Sequence, residues 1–359
     1  MQRRVAAGKI ANAAAEPRPM LLHRLILRIL WFTLLGAAAG ITIGRFQVVA
    51  AGDTPVEGYL SGAAIGATLG LVLSSFEIAL NFPWAERLRQ APFLVLLSLR
   101  SLVYLGVILA SLIGARVVMG GPQSSALSIP RDEFLLSLAV AFGFNLLSGM
   151  NLLLGPGVLF NFAAGRYHRP RLETRALLLI DLKGSTAIAE RLGERRFLTL
   201  LNRFIADVSI AVTGAGGEIH KYVGDEIIAT WRLRRASNAA AAIRACFAAH
   251  ARITARAARY QREFGLTPEF RAALHCGPVV IGELGIVKME IALIGDAMNT
   301  AARIEQACRD TGHPVLASAA LIDRVEALPA GITKRALGDW HLRGKEAALA
   351  LYALDVAAT

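Results

Sequence analysis

Apolar residues are spread unevenly along this chain. Before residue 165 they form long runs with few charges, at 29–44, 58–76, 93–115 and from Phe134 to the Gly155-Pro156-Gly157 break. A membrane-crossing helix needs roughly 20 apolar residues, so the pattern predicts four transmembrane helices. Beyond residue 165 the runs shorten. Leu177-Leu178-Leu179-Ile180 is apolar throughout and ends on Asp181, which predicts a strand covered on both faces. Gly184 breaks that strand, and Ser185 is a fitting N-cap for a helix over 185–212 with Leu192, Leu200, Phe204, Ile205 and Val208 on one side. Strands over 219–223 and 227–231 flank Gly224-Asp225, a two-residue turn of the Gly-first kind that leaves Asp225 exposed at a hairpin tip. A helix over 236–264 follows and Gly265 stops it. Then come a strand pair over 270–283 around Gly277-Pro278, a strand over 289–294, a helix capped by Asp296, and a last strand over 348–354. Strand, helix, hairpin, helix, strand is the ferredoxin-like split βαβ order, here extended. The expected fold class is α+β, preceded by an all-α bundle of four transmembrane helices.

Composition agrees with this division. The 359 residues are 55% hydrophobic, too apolar for an ordinary soluble enzyme, and the excess lies in the first part. The expected domains are a basic tail (1–20), a four-helix transmembrane domain (21–160), a juxtamembrane linker (161–174) and an α+β domain (175–359). The net charge is +12. The basic residues flank apolar spans, so a lipid bilayer explains them better than nucleic acid does. Lys and Arg are concentrated in the N-terminus and in the loop carrying Arg87 and Arg89. The positive-inside rule then places both termini and the middle loop in the cytoplasm of a multi-pass protein of the cell (inner) membrane. A signal peptide is the competing reading of the first span. Cys246, Cys276 and Cys308 have no CxxC spacing, which suggests a reducing compartment and no zinc site.

Within the spans, Gly36, Gly40 and Gly44 are spaced by four, as are Gly62, Gly66 and Gly70. Small residues at that spacing let helices pack closely in lipid, within a chain or between chains, although glycine is common in membrane helices anyway. Arg100 lies well inside the third span. It is a functional group, a snorkelling one, or a residue near the start of a helix that begins later than the apolar run.

Asp181 after a strand and Asp225 in a turn are each, alone, as consistent with a cap and a plain turn as with chemistry. If the hairpin lies beside the first strand, the two carboxylates converge, an arrangement that suits hard divalent cations bound to phosphates. Asn299 and Arg303 are four apart and share a helix face near its N-terminus, suited to an anion whose charge grows during a reaction. Lys345, in Leu342-Arg343-Gly344-Lys345, is within reach of a phosphate or is an ordinary loop lysine.

Over residues 173–354 the chain resembles the class III nucleotidyl cyclases, the adenylate and guanylate cyclase family. The resemblance rests on four motifs in order: Asp181-Leu182-Lys183-Gly184-Ser185-Thr186, Lys221-Tyr222-Val223-Gly224-Asp225, Gly295-Asp296-Ala297-Met298-Asn299-Thr300-Ala301-Ala302-Arg303, and Leu342-Arg343-Gly344-Lys345. The approach Gly165-Arg166-Tyr167-His168-Arg169-Pro170 looks like that of bacterial membrane-anchored members. The resemblance implies that Asp181 and Asp225 bind two divalent metal ions, magnesium or manganese. It implies that Lys221 contacts the purine and favours adenine, that Asn299 and Arg303 stabilise the transition state, and that Lys345 contacts the terminal phosphates. It also implies a head-to-tail dimer, here a homodimer with two equivalent sites, making cyclic AMP and pyrophosphate from ATP. Ala292 departs from the pattern, since many members carry Asp or Thr there as the second purine contact. Guanylate cyclase activity and a catalytically silent dimerising membrane receptor are the alternatives. A diguanylate cyclase fits Val223-Gly224-Asp225-Glu226 but not the Asn299/Arg303 motif.

Overall fold

A computed structural model describes residues 26, 29–42, 55–79, 93–118, helical positions between 131 and 150, 168–233, 236–287, 289–341 and 348–357. The chain divides into two compact units, one built on residues 18–160 and one on the residues from 161 onward.

In the first unit, α1 (Ile29–Thr42), α2 (Pro55–Ala79) and α3 (Phe93–Val118) coincide with the first three predicted spans. α2 and α3 are long and apolar enough to cross a membrane, whereas α1 is shorter. The fourth predicted span falls only partly on described residues, which are helical between 131 and 150. Asn145 there donates to the Leu97 carbonyl (2.6 Å) and to Ser101 Oγ (2.9 Å) of α3.

The glycines pair α1 and α2 inside one chain. A Cβ on Gly66 would run into the Gly36 carbonyl, 2.7 Å from its carbon, and one on Gly40 would lie 2.7 Å from the Gly62 carbonyl carbon. Gly44 lies outside the described residues. Gly66→Ile should therefore force the helices apart, at about 2 kcal/mol. Thermal unfolding of the detergent-solubilised protein should show the loss. Gly106→Ala should show none, because a Cβ at Gly106 meets nothing within 4 Å.

Arg100 has a partner within the helices. Its Nη1 lies 3.7 Å from Glu77 Oε1 of α2, and the buried Tyr104 also donates its hydroxyl to Glu77. Phe76 meets the Tyr104 ring edge-on at 6.0 Å. The charge is matched across two helices.

The second unit is an eight-stranded sheet. β1 (Arg171–Leu182), β2 (Glu218–Val223), β3 (Glu226–Arg232) and β4 (Phe270–Leu284) lie in the order β2-β3-β1-β4. That is the expected split βαβ arrangement. Beyond β4 come β6 (Val315–Ser318), β8 (Leu349–Val356) and β7 (Ile332–Trp340), while β5 (Glu290–Ile294) pairs with the far half of β4. β1 is antiparallel to both neighbours. Ala176–Ile180 is fully buried because helices cover both faces.

Alternation along β1 decides what each face receives. The even residues Ala176, Leu178, Ile180 and Leu182 pack against α5 (Glu194–Gly214), α6 (Ala236–Ala255) and α7 (Ala257–Phe264). The odd residues Leu177 and Leu179 pack against α8 (Asp296–Thr311) through Ala297, Ala301 and Ile304. α5 also has the length and composition of a membrane span, but its apolar stripe of Leu200, Phe204, Val208 and Val212 belongs to this core.

Three predicted elements differ in detail. The helix over 185–212 is two helices, α4 (Ser185–Leu192) and α5, separated at Gly193 with φ 74°. Gly184, in the left-handed region with φ 71°, stands at the N-cap position, so Ser185 is the first helical residue and not the cap. The helix over 236–264 breaks at Arg256. Arg252 Nε (3.0 Å), Arg256 and the Tyr260 hydroxyl (2.9 Å) all donate there to the fully buried Asp207 of α5. The expected strand pair over 270–283 is one strand, whose register with β1 runs through Gly277 and Pro278. Its other edge pairs only at 272–274 and 280–284, so proline sits where that edge has no partner. Glycine at 277 lets α8 approach, since a Cβ there would lie 2.8 Å from the Ala297 Cβ.

Candidate active site

Asp181 is an odd residue of β1, so it lies on the face that α8 covers. β3 runs antiparallel beside β1, with Ile180 opposite Ile227. The turn before β3, at Gly224 with φ 63°, thereby delivers Asp225 to Asp181. The two carboxylates do converge, near enough for Asp225 to add to burial in raising the Asp181 carboxyl above the usual carboxylate range. Asp225 is half-buried rather than exposed at a hairpin tip, because the tip folds against the end of β1.

Other charges gather there. Glu226 shares the face of Ile228, toward α8, and Glu305 of α8 comes down on the same spot. Burial, then Glu305 and Asp225, push the Asp181 carboxyl up to about 6, against the pull of Arg309. Burial, then Glu305, Asp181 and Asp225, push Glu226 up to about 7. Arg309 Nη2 donates to Asp181 Oδ2 at 3.2 Å, and Arg271 Nη1 lies 3.8 Å from the same oxygen. Clustered carboxylates held at this cost suit a cation. Among the described residues no three His, Cys, Asp or Glu side chains could by themselves hold a metal ion. Two carboxylates that leave the remaining positions to water and phosphate oxygens fit magnesium-like ions, which are seldom caged by protein alone.

Lys221 stands on β2 with its Nζ 2.6 Å from Glu290 Oε2 of β5. Ala292, two residues further on and on the same face as Glu290, lies opposite Gly282. Its methyl group offers no hydrogen bond. Asn299 is exposed on the first turn of α8. Arg303 donates to Gln306 Oε1 at 3.1 Å. Gly295, not Asp296, occupies the N-cap position, and Asp296 accepts from Thr300 Oγ1 at 3.4 Å. Lys345 lies outside the described residues.

Among the described residues, one chain does not bring the Asn299/Arg303 pair onto the carboxylate cluster. Asn299 is ten residues before Arg309 on α8, roughly 15 Å along the axis. Arg303 and Glu305, two apart, leave the helix on nearly opposite sides. The carboxylate cluster and the Asn299/Arg303 pair therefore face different directions.

Sequence reasoning missed Glu226, Arg271, Glu290, Glu305 and Arg309. The i, i+4 spacing of Glu305 and Arg309 was available as a signal, as was the position of Glu226 beside Asp225. That they meet Asp181 depends on which face of β1 receives α8.

The family model described as adenylate and guanylate cyclase catalytic domain matches residues 168–355, just over half of the chain. Adenylate cyclase 2 of Rhizobium meliloti (strain 1021) is 40% identical over 202 residues, covering 56% of this chain and 55% of that protein. Adenylate cyclase 1 of the same organism is 30% identical over 187 residues, covering 51% of this chain and 27% of that protein. The chain thus spans about half or less of the length of these curated relatives. A solved bacterial light-regulated adenylyl cyclase shares the fold with a TM-score of 0.55 at 20% identity, over 63% of this chain and 66% of that one. With its β2-β3-β1-β4 sheet, its paired aspartates and this match, the chain belongs to the adenylate and guanylate cyclase catalytic-domain family.

Proposed function

We propose that this protein is a membrane-bound adenylate cyclase that converts ATP to 3′,5′-cyclic AMP and pyrophosphate at a homodimer interface. The observation that carries the proposal is the convergence of Asp181 and Asp225 at one end of β1. In this reading the two aspartates hold two divalent ions, magnesium or manganese. When bound, such ions make the ribose 3′-hydroxyl more acidic and hold the triphosphate. The chain's other residues supply position and charge. Asn299 and Arg303 of one subunit face the carboxylates of the other, an arrangement supported by their separation on α8. Arg303 offsets the charge that develops on the α-phosphoryl group, Asn299 donates to it, and Lys345 meets the terminal phosphates. The apolar α2 and α3 support anchoring in the inner membrane, with the catalytic domain on the cytoplasmic side.

Lys221 donates to the purine. Ala292 contributes no second polar contact, so base choice rests on Lys221 and its surroundings. The test is to incubate the purified full-length protein with manganese and either ATP or GTP and to identify the products. The expected product is cyclic AMP from ATP. Lys221→Glu should lower the ATP-to-GTP preference by about tenfold, because an acceptor then replaces a donor at the base edge. Cyclic GMP as the wild type's main product would overturn the adenine assignment while leaving the metal site in place.

A further inference from the structure

Arg309 and Glu305 are not needed to hold a cation, yet both converge on Asp181. Arg309 Nη2 lies 3.2 Å from Asp181 Oδ2 and 3.7 Å from Glu305 Oε1. The Asp181 and Glu305 side chains are only 14% and 10% exposed, while that of Arg309 is 57% exposed. Glu305 Oε1 is buried and has no hydrogen-bond partner. A guanidinium on an exposed arm thus occupies one buried carboxylate, with a second, vacant acceptor half an ångström further off. Among the described residues Arg271, opposite Asp181 in the β1–β4 register, is the other cation recorded against Asp181.

Resting on the two-metal assignment above, we propose that Arg309 is a tethered counter-ion for the cation site. Without a divalent ion it neutralises Asp181. When an ion takes Asp181 Oδ2, the guanidinium moves onto Glu305 Oε1. A buried carboxylate left without a partner is costly, and so is a cation pressed against a metal ion. The move between two acceptors that flank the same guanidinium, Asp181 on β1 and Glu305 on α8, avoids both. Arg309 then lowers the affinity of the empty site for metal, and Glu305 limits that loss by giving the guanidinium a place to go. Because Glu305 and Arg309 are i, i+4 on α8, the displaced pair has a favourable geometry ready.

Binding of manganese alone tests this, read from the free-ion electron paramagnetic resonance signal of the metal-stripped, full-length protein in detergent. Arg309→Gln should bind manganese about fivefold more tightly than wild type, and Arg309→Ala should match it. Glu305→Gln should bind about fivefold more weakly, but the same change made in the Arg309→Gln background should have little effect. Unchanged or weaker binding in both Arg309 variants, including no binding in any protein, overturns the counter-ion. An equal loss from Glu305→Gln in both backgrounds overturns the transfer, since Glu305 would then act on the ion directly. Asp181→Asn separates the two levels. Binding that survives it overturns the two-metal reading itself, whereas binding lost in Asp181→Asn with no gain in Arg309→Gln overturns only the counter-ion.

Discussion

Asp225→Ala should reduce cyclic AMP formation by the full-length protein at least about a hundredfold, and Asp181→Ala should do the same. The two carboxylates meet from different strands, one at the end of β1 and one in the turn before β3. Glu226 and Glu305 crowd the same place, yet no three carboxylates come together as a cage among the described residues. Removing both aspartates should be little worse than removing one, as expected for groups that act as a unit. Separation of the nucleotides by chromatography gives the activity. Thermal unfolding in the absence of metal distinguishes lost chemistry from lost folding. Deleting one of several clustered negative charges relieves repulsion, so Asp225→Ala should melt no earlier than wild type. More than a tenth of wild-type activity in either variant would sink the metal assignment.

The second large effect concerns the subunit boundary. Arg303→Ala alone should also lose at least about a hundredfold, the scale for removing one charge-stabilising donor. Co-expressed with Asp225→Ala under separate tags, it should recover. A mixed dimer joins the intact carboxylates of one chain to the intact Asn299 and Arg303 of the other, so one of its two sites is complete. Random pairing then restores about a quarter of wild-type activity. Doubly tagged dimers that can be purified but remain inactive would show that each site is built within one chain.

Much of the cyclase unit was legible in the sequence because its signals are local. The run 177–180 ending on Asp181, the Gly224-Asp225 turn and the Gly265 stop each require only a few neighbouring residues, and all three appear where expected. The four-residue glycine spacing was legible too, although only the structure places both rows in one chain. Gly193 was not recognised as a break, because the apolar stripe continues in phase on both sides of it. Pro278 suggested a turn, but an unpaired stretch of strand edge accommodates it. The charged partners were the least legible. Lys221 with Glu290, and Asp181 with Arg309, are separated by 69 and 128 residues. Only the sheet order brings them together.

β1 carries one more consequence. It begins at Arg171, after the apolar helices in the chain, and reaches Asp181 without interruption, hydrogen-bonded to β4 along its whole length and to β3 from Arg175 to Ile180. A strand clamped on both sides cannot slide by one residue without turning Asp181 to the opposite face of the sheet. Transmission by a piston-like stroke of this strand is therefore excluded. In the membrane-bound homodimer proposed above, a message from the lipid phase then travels as a movement of the sheet as one body, which shifts one subunit's aspartates relative to the other's Arg303.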